Sequence, residues 1–103
     1  MAFSKLFEPI QVGAVQLQHR VVLAPLTRLK ATEKSHVPIV KLVREYYAQR
    51  AQTPGTLLIA EGSVVAPKAG GFSHVPGLWS NEQLDAWKEA SCNPCSSVYI
   101  FAY

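Results

Sequence analysis

The 103-residue chain has little of what marks secreted, membrane-spanning or nucleic-acid-binding proteins. It has two cysteines, both near the C-terminus, which does not suit a disulfide scaffold. No segment approaches ~20 apolar residues, and the N-terminus lacks the apolar core of a signal peptide. The net charge is only +3 and the basic residues are dispersed, unlike a nucleic-acid-binding surface. We therefore expect a cytoplasmic protein that contacts neither membrane nor nucleic acid.

Residues that could hold a metal are equally sparse. His19, His36 and His74 are scattered, and no pair has metal-ligand spacing with a carboxylate nearby. Cys92 and Cys95 have the spacing of a redox motif, but a predicted helix precedes them where a strand would be needed. We therefore expect free thiols at these two positions and no metal site.

The middle of the chain follows the pattern strand, helix, strand. Residues 21–24 form a continuous apolar run that ends at Pro25, which predicts a parallel strand over about residues 20–25, covered on both faces. Apolar residues at three-to-four spacing, Tyr47 among them, predict a helix from about residue 38 to 52. Residues 56–60 predict a second strand, and a βαβ unit of this kind places its two strands parallel in one sheet.

Shorter signals flank this unit. Two apolar bursts at residues 6–7 and 15–17, around a turn at Gly13, predict a small β-hairpin. Ser80 and Gln83 form a capping box that opens a second helix, with Leu84 and Trp87 on its apolar face. Residues 98–103 predict a third strand.

Taken together, these motifs resemble the Old Yellow Enzyme family of FMN-dependent ene-reductases, fungal type. The matching motifs are collinear over about residues 6–90: Leu6-Phe-Glu-Pro-Ile10, Val12-Gly13, Leu17-Gln-His-Arg-Val-Val-Leu-Ala-Pro-Leu-Thr-Arg28, Tyr46-Tyr-Ala-Gln-Arg-Ala51, Pro54-Gly-Thr-Leu-Leu-Ile-Ala-Glu-Gly62, Pro67-Lys-Ala-Gly-Gly71 and Pro76-Gly-Leu-Trp-Ser80. The resemblance implies an α/β fold, namely the N-terminal portion of a (β/α)8 TIM barrel. About two to three β/α units would follow a β-hairpin. Residues 1–90 would form this partial barrel, and residues 91–103 a divergent C-terminal tail.

The resemblance also implies which residues contact the cofactor. Pro25, Leu26 and Thr27 match the family's loop against the flavin ring, where the threonine hydroxyl hydrogen-bonds the flavin. Gly62 matches the position where the backbone approaches the ring, and Phe72 falls where the family often has an aromatic residue near the substrate entrance. From the residues alone, Thr27 could instead bond its own backbone, and Gly62 could be a turn residue with positive φ.

Other functional residues of the family have no counterpart in this sequence. These are the pair that grips the substrate carbonyl, the tyrosine proton donor and the phosphate-binding residues, so we predict no catalytic residue. Glu61 ends a strand, where it could act as a general base, but the resemblance favours a structural carboxyl group.

Two functions remain open at this point. The resemblance implies a truncated member of a family whose intact members use FMN and NADPH to reduce activated alkenes. The alternative is a non-redox pseudoenzyme that binds a small molecule or another subunit. For either, exposed strand edges predict a homo-oligomer or assembly with a partner fragment.

Overall fold

Two β/α units follow a β-hairpin in the computed structural model, which describes residues 2–91 and 99–101. The strands are β1 (Ile10–Val12), β2 (Val15–Leu17), β3 (Val22–Leu23), β4 (Leu57–Ile59) and β5 (Tyr99–Phe101). The α-helices are α1 (Val40–Arg50) and α2 (Asn81–Ser91), and short 3₁₀ helices span Ala2–Phe7 and Pro67–Ala69. Both predicted helices and the three predicted strands of the main sheet are present, with ends that differ by a few residues.

The hairpin is confirmed, but its first strand is not where the apolar burst at residues 6–7 placed it. β1 and β2 pair antiparallel, with Ile10 opposite Leu17 and Val12 opposite Val15. Only two residues connect them, and Gly13 has the left-handed φ of +57° that such turns need. This short connection fixes the register, so residues 6–7 cannot pair with β2 and lie instead in a 3₁₀ helix.

The main sheet is parallel and has the order β3-β4-β5. Val22 lies opposite Leu57, and Leu57 lies opposite Tyr99. The helix α1 connects β3 to β4 and α2 lies between β4 and β5 along the chain, so the β/α alternation is confirmed.

The core lies between β4 and the two α-helices. The tyrosines of α1 are both buried, and the rings of Tyr46 and Tyr47 meet edge to face at 5.1 Å between centroids. Both belong to the buried core cluster and are packing residues. The buried members of the core cluster are Val43, Tyr46, Tyr47, Ala51, Leu58, Ala60, Trp87 and Ala90.

One prediction for β3 is wrong: the strand is not covered on both faces. Val22 of β3 is 38% exposed, and Val21, directly before the strand, is 52% exposed. Among the described residues β3 pairs with β4 alone, so its other edge and the side chains beside it face solvent. A continuous apolar run is typical of a strand in a complete sheet whose two faces are covered by packed elements, and that cover is incomplete at β3.

The capping box is confirmed, with a larger role than the sequence predicted. The backbone N–H of Gln83 donates to Ser80 Oγ at 3.2 Å. The Gln83 side chain is 1% exposed, accepts from the N–H groups of Trp79 and Ser80, and donates to the Ser35 carbonyl at 2.8 Å. The predicted position of Leu84 on the apolar face is wrong, since Leu84 is 36% exposed and Gln83 is buried in its place.

Within the described part of the chain, no helix has the length and apolar character to cross a membrane.

We expect Gln83→Ala to lower the free energy of unfolding by about 2 kcal/mol, because it leaves partly buried backbone groups of Ser35, Trp79 and Ser80 without the partner that Gln83 supplies. Urea denaturation followed by circular dichroism measures this loss. Gln52→Ala, at an exposed position just after α1, is the matched control and should change stability by less than about 0.5 kcal/mol. Equal effects of the two variants would show that the Gln83 hydrogen bonds contribute nothing.

The exposed edge of β3 predicts self-association at micromolar concentration. Val21→Lys should shift the protein toward monomer in size-exclusion chromatography, because a charge on an edge strand opposes edge-to-edge pairing. Val65→Lys replaces another exposed valine, 67% accessible and outside the strands of the sheet, and should leave the elution profile unchanged. A sharp monomer peak for the unmodified chain would contradict the prediction.

Candidate functional site

The two segments implied in cofactor binding follow the carboxyl ends of neighbouring strands. β3 leads into residues 25–27, and β4 leads into Gly62. The parallel register, with Leu23 opposite Leu58, brings these two strand ends to one edge of the sheet, which we call the carboxyl edge. Parallel α/β folds bind their ligands at this edge.

A buried carboxyl group joins the two segments. Glu61 is 1% exposed, and its Oε2 accepts a hydrogen bond from the backbone N–H of Arg28 at 2.8 Å. The backbone N–H of Glu61 donates to the Tyr47 hydroxyl at 3.1 Å, which ties the end of β4 to α1. The loop after β3 and the end of β4 are therefore fastened to each other and to the core.

Burial dominates the electrostatics of this contact. It raises the pKa of Glu61, because the charged form loses its hydration. The backbone N–H groups of Arg28 and Leu29 and the positive charges of Arg28 and Lys30 act in the opposite direction. Burial likewise raises the pKa of the Tyr47 hydroxyl. With so little exposure and a backbone partner, Glu61 has the contacts of a structural carboxyl group and no open path to a solute.

The predicted ring-contact residues are open to solvent at the carboxyl edge. Pro25, Leu26 and Thr27 are all exposed, with Leu26 at 51%. The Thr27 side chain makes no hydrogen bond to any described residue, so it is not a loop threonine that bonds its own backbone. Gly62 does not have a positive φ, and a Cβ built there would meet nothing within 4 Å. Its role as a left-handed turn residue is excluded, and open space remains beside it.

Phe72, the predicted substrate contact, lies in the loop between β4 and α2. Its side chain is 79% exposed. No contact in the described structure fixes its orientation relative to Thr27 or Gly62.

Two histidines, His36 and His74, connect the long loops that follow β3 and β4. His74 Nδ1 and the Ala31 carbonyl oxygen lie 2.9 Å apart, and the Ala31 N–H donates to the His74 carbonyl at 3.1 Å. His36 Nδ1 lies 2.6 Å from the Val75 carbonyl oxygen. Both histidines have a left-handed backbone conformation, with a φ of +54° at His36 and +67° at His74. No local sequence signal indicates these contacts, because the partners are about 40 residues apart.

His19 is also structural. Its Nε2 lies 2.8 Å from Thr56 Oγ1, and that hydroxyl donates to the Thr53 carbonyl. His19 Nδ1 accepts from the Val21 N–H, so the hydrogen-bond network assigns the ring proton to Nε2. Among the described residues no group of three His, Cys, Asp or Glu side chains could hold a metal ion. Cys92 and Cys95 lie outside the described residues.

A groove of about 660 Å³ lies at the opposite, amino-terminal end of β3 and β4. Phe7, His19, Val21, Arg50 and Pro54 are among the residues that line it. It is separate from the carboxyl edge where the site was predicted.

Residues 5–91 match the sequence profile of the NADH:flavin oxidoreductase / NADH oxidase family. The chain belongs to this family. The NADP-dependent oxidoreductase lnbE of Aspergillus flavus is 55% identical over 86 residues, which are 84% of this chain and 22% of that protein. Enoate reductase 1 of Kluyveromyces lactis is 43% identical over 89 residues, 86% of this chain and 22% of that protein.

Solved structures agree with the family assignment. The old yellow enzyme from Trypanosoma cruzi superimposes with a TM-score of 0.85 at 33% identity, over 99% of this chain and 27% of that one. The chain thus spans about a quarter of the relatives that it matches, and its fold is the N-terminal portion of their TIM barrel. The family resemblance and the fold class are confirmed. The cofactor and substrate roles of individual residues, and the division at residue 90, stay predictions.

The raised pKa of Glu61 predicts a pH dependence of stability. The folded state holds the Glu61 proton more tightly than the unfolded state does. The stabilisation is therefore complete below the unfolded value near 4.5 and is lost as pH rises through the folded pKa. In urea denaturation at a series of pH values from below 4.5 upward, the free energy of unfolding of the unmodified chain should fall as pH rises. This fall should be absent in Glu61→Gln. Glu33→Gln, at an exposed position, should keep the fall. An identical pH dependence in Glu61→Gln would contradict the assignment.

Proposed function

We propose that this chain forms the first wall of the FMN site in an NADPH-dependent reductase of activated alkenes. The observation that supports the proposal most is the hydrogen bond from Arg28 to Glu61. It holds the exposed residues 25–27 beside the open backbone of Gly62, at the edge of the sheet where barrels bind ligands.

The chemistry of these residues fits one side of a flavin ring. Pro25 and Leu26 offer apolar surface to a flat aromatic system, and the unpaired Thr27 hydroxyl can bond a polar atom at its rim. Gly62 allows the ring to approach the backbone without a side chain between them. These residues would hold the flavin, and the flavin would supply the chemistry of hydride transfer from NADPH to the substrate.

The reductant and substrate class are supported by the relatives. One is named an NADP-dependent oxidoreductase and another an enoate reductase. Exposed Phe72 is the candidate contact for the substrate. A closed (β/α)8 barrel takes about 250 residues. The remaining β/α units must therefore come from further polypeptide, either in the same protein or in a partner.

A second candidate, a non-redox protein that binds another subunit, is favoured by the exposed apolar side chains near β3. Phe7, Val21 and Leu26 are each more than half exposed. Flavin binding at the carboxyl edge separates the two candidates, because the second requires none.

The 103-residue chain should bind the flavin ring weakly, and without a contribution from the phosphate. We expect FMN and riboflavin to bind with similar dissociation constants in the high micromolar range, about −5 to −6 kcal/mol. The reason is that barrels of this kind bind phosphate through loops of their late strands, whereas the described residues form the early strands. Quenching of flavin fluorescence by added protein measures both constants.

Thr27→Val should weaken binding of both flavins about threefold to tenfold, because it removes a hydroxyl and keeps the side-chain shape. Thr53→Val is the matched control, since Thr53 is exposed at the opposite end of the sheet. Absence of any flavin binding, or equal weakening by the two variants, would overturn the proposed site.

A further inference from the structure

The loop that carries Thr27 contains a backbone conformation that its sequence does not favour. Leu29 has a φ of +56°, in the left-handed region that residues with a Cβ rarely adopt. Such conformations persist where the surrounding structure holds them in place, and they concentrate at functional sites. We therefore expect a contact next to Leu29 to stabilise its backbone conformation.

The Glu61 carboxyl group is positioned to supply this contact. Its Oε2 accepts from the N–H of Arg28, directly before Leu29, at 2.8 Å. The N–H groups of both Arg28 and Leu29 favour the charged form of this carboxyl group. The hydrogen bond from the Arg28 N–H to the Glu61 carboxyl group therefore lies directly beside the left-handed residue.

The other end of Glu61 is equally well fixed. Its backbone N–H bonds to the hydroxyl of Tyr47, a buried residue of α1 that is 3% exposed. Oε1 is buried and has no hydrogen-bond partner among the described residues. A buried carboxyl oxygen without a hydrogen-bond partner costs free energy, and an apolar side chain at this position would avoid that cost. The presence of a carboxyl group here therefore points to a role for its hydrogen bond to Arg28.

We propose that Glu61 is a positioning residue for the flavin site: its carboxyl group holds residues 25–29 in the conformation that presents Thr27 at the carboxyl edge. This inference rests on the proposed function for the identity of the ligand. The holding role itself does not depend on the ligand, so the two can be tested separately.

The first measurement is amide hydrogen exchange of the chain without ligand, followed by NMR. Glu61→Leu should speed exchange at the Arg28 amide at least about tenfold, because the acceptor is lost. Glu61→Gln keeps an acceptor oxygen at the same reach and should stay within about threefold of the unmodified chain. Glu33→Gln removes an exposed carboxylate elsewhere and should change nothing at Arg28.

Glu61→Asp covers the case in which the leucine variant fails to fold. It keeps the carboxyl group but shortens the side chain by one methylene, so it should also speed exchange at Arg28. Rapid exchange at Arg28 in the unmodified chain would overturn the holding role. So would unchanged exchange in a folded leucine or aspartate variant.

The second measurement is FMN affinity of the same variants. Glu61→Leu and Glu61→Asp should weaken FMN binding about tenfold, and Glu61→Gln should restore most of it. If exchange at Arg28 changes while FMN affinity does not, the positioning role is overturned. If no variant and not even the unmodified chain binds FMN, the proposed function is overturned, and the exchange data still decide the holding role.

Discussion

The hydrogen bond between the Arg28 amide and the Glu61 carboxyl group is the contact on which the carboxyl edge depends. β3 is only two residues long and pairs with β4 on one side among the described residues. So short a ladder cannot by itself fix the loop that follows it. Arg28 is hydrogen-bonded to Glu61, and Glu61 is hydrogen-bonded to Tyr47 of α1. These two bonds connect the exposed residues 25–27 to the buried core. The arrangement separates two tasks, since buried residues provide order and exposed residues remain free to meet a ligand.

The main sheet is incompletely covered because the chain represents only part of the family fold. The chain spans about a quarter of its relatives, and in a barrel every strand has a neighbour on each side. Val21 and Val22 have the composition of a strand between two neighbours, yet they are exposed. Their exposure favours any process that adds a strand beside β3. We therefore expect the proposed flavin binding to be linked to assembly, because a completed barrel would both cover β3 and supply the remaining walls of the site.

The local elements could be read from the sequence because their causes are local. Helical spacing located α1, and the capping box at Ser80 located the start of α2. The contacts that determine the site could not be read in this way. The acceptor of the Arg28 amide is 33 residues away along the sequence. No residue next to Leu29 in the sequence indicates that its backbone is left-handed. The burial of β3 was predicted wrongly because burial depends on neighbours, and composition reports only the environment to which a segment is suited.

The central claim is that a flavin ring binds at the carboxyl edge formed by β3 and β4. The most direct test is a titration of the isotope-labelled chain with FMN, followed through its backbone amide resonances. The account predicts the largest shift changes at Thr27, Arg28 and Gly62, with little change at the distant His19 and Gly55. Changes concentrated at the amino-terminal groove around His19, or none at all, would contradict it.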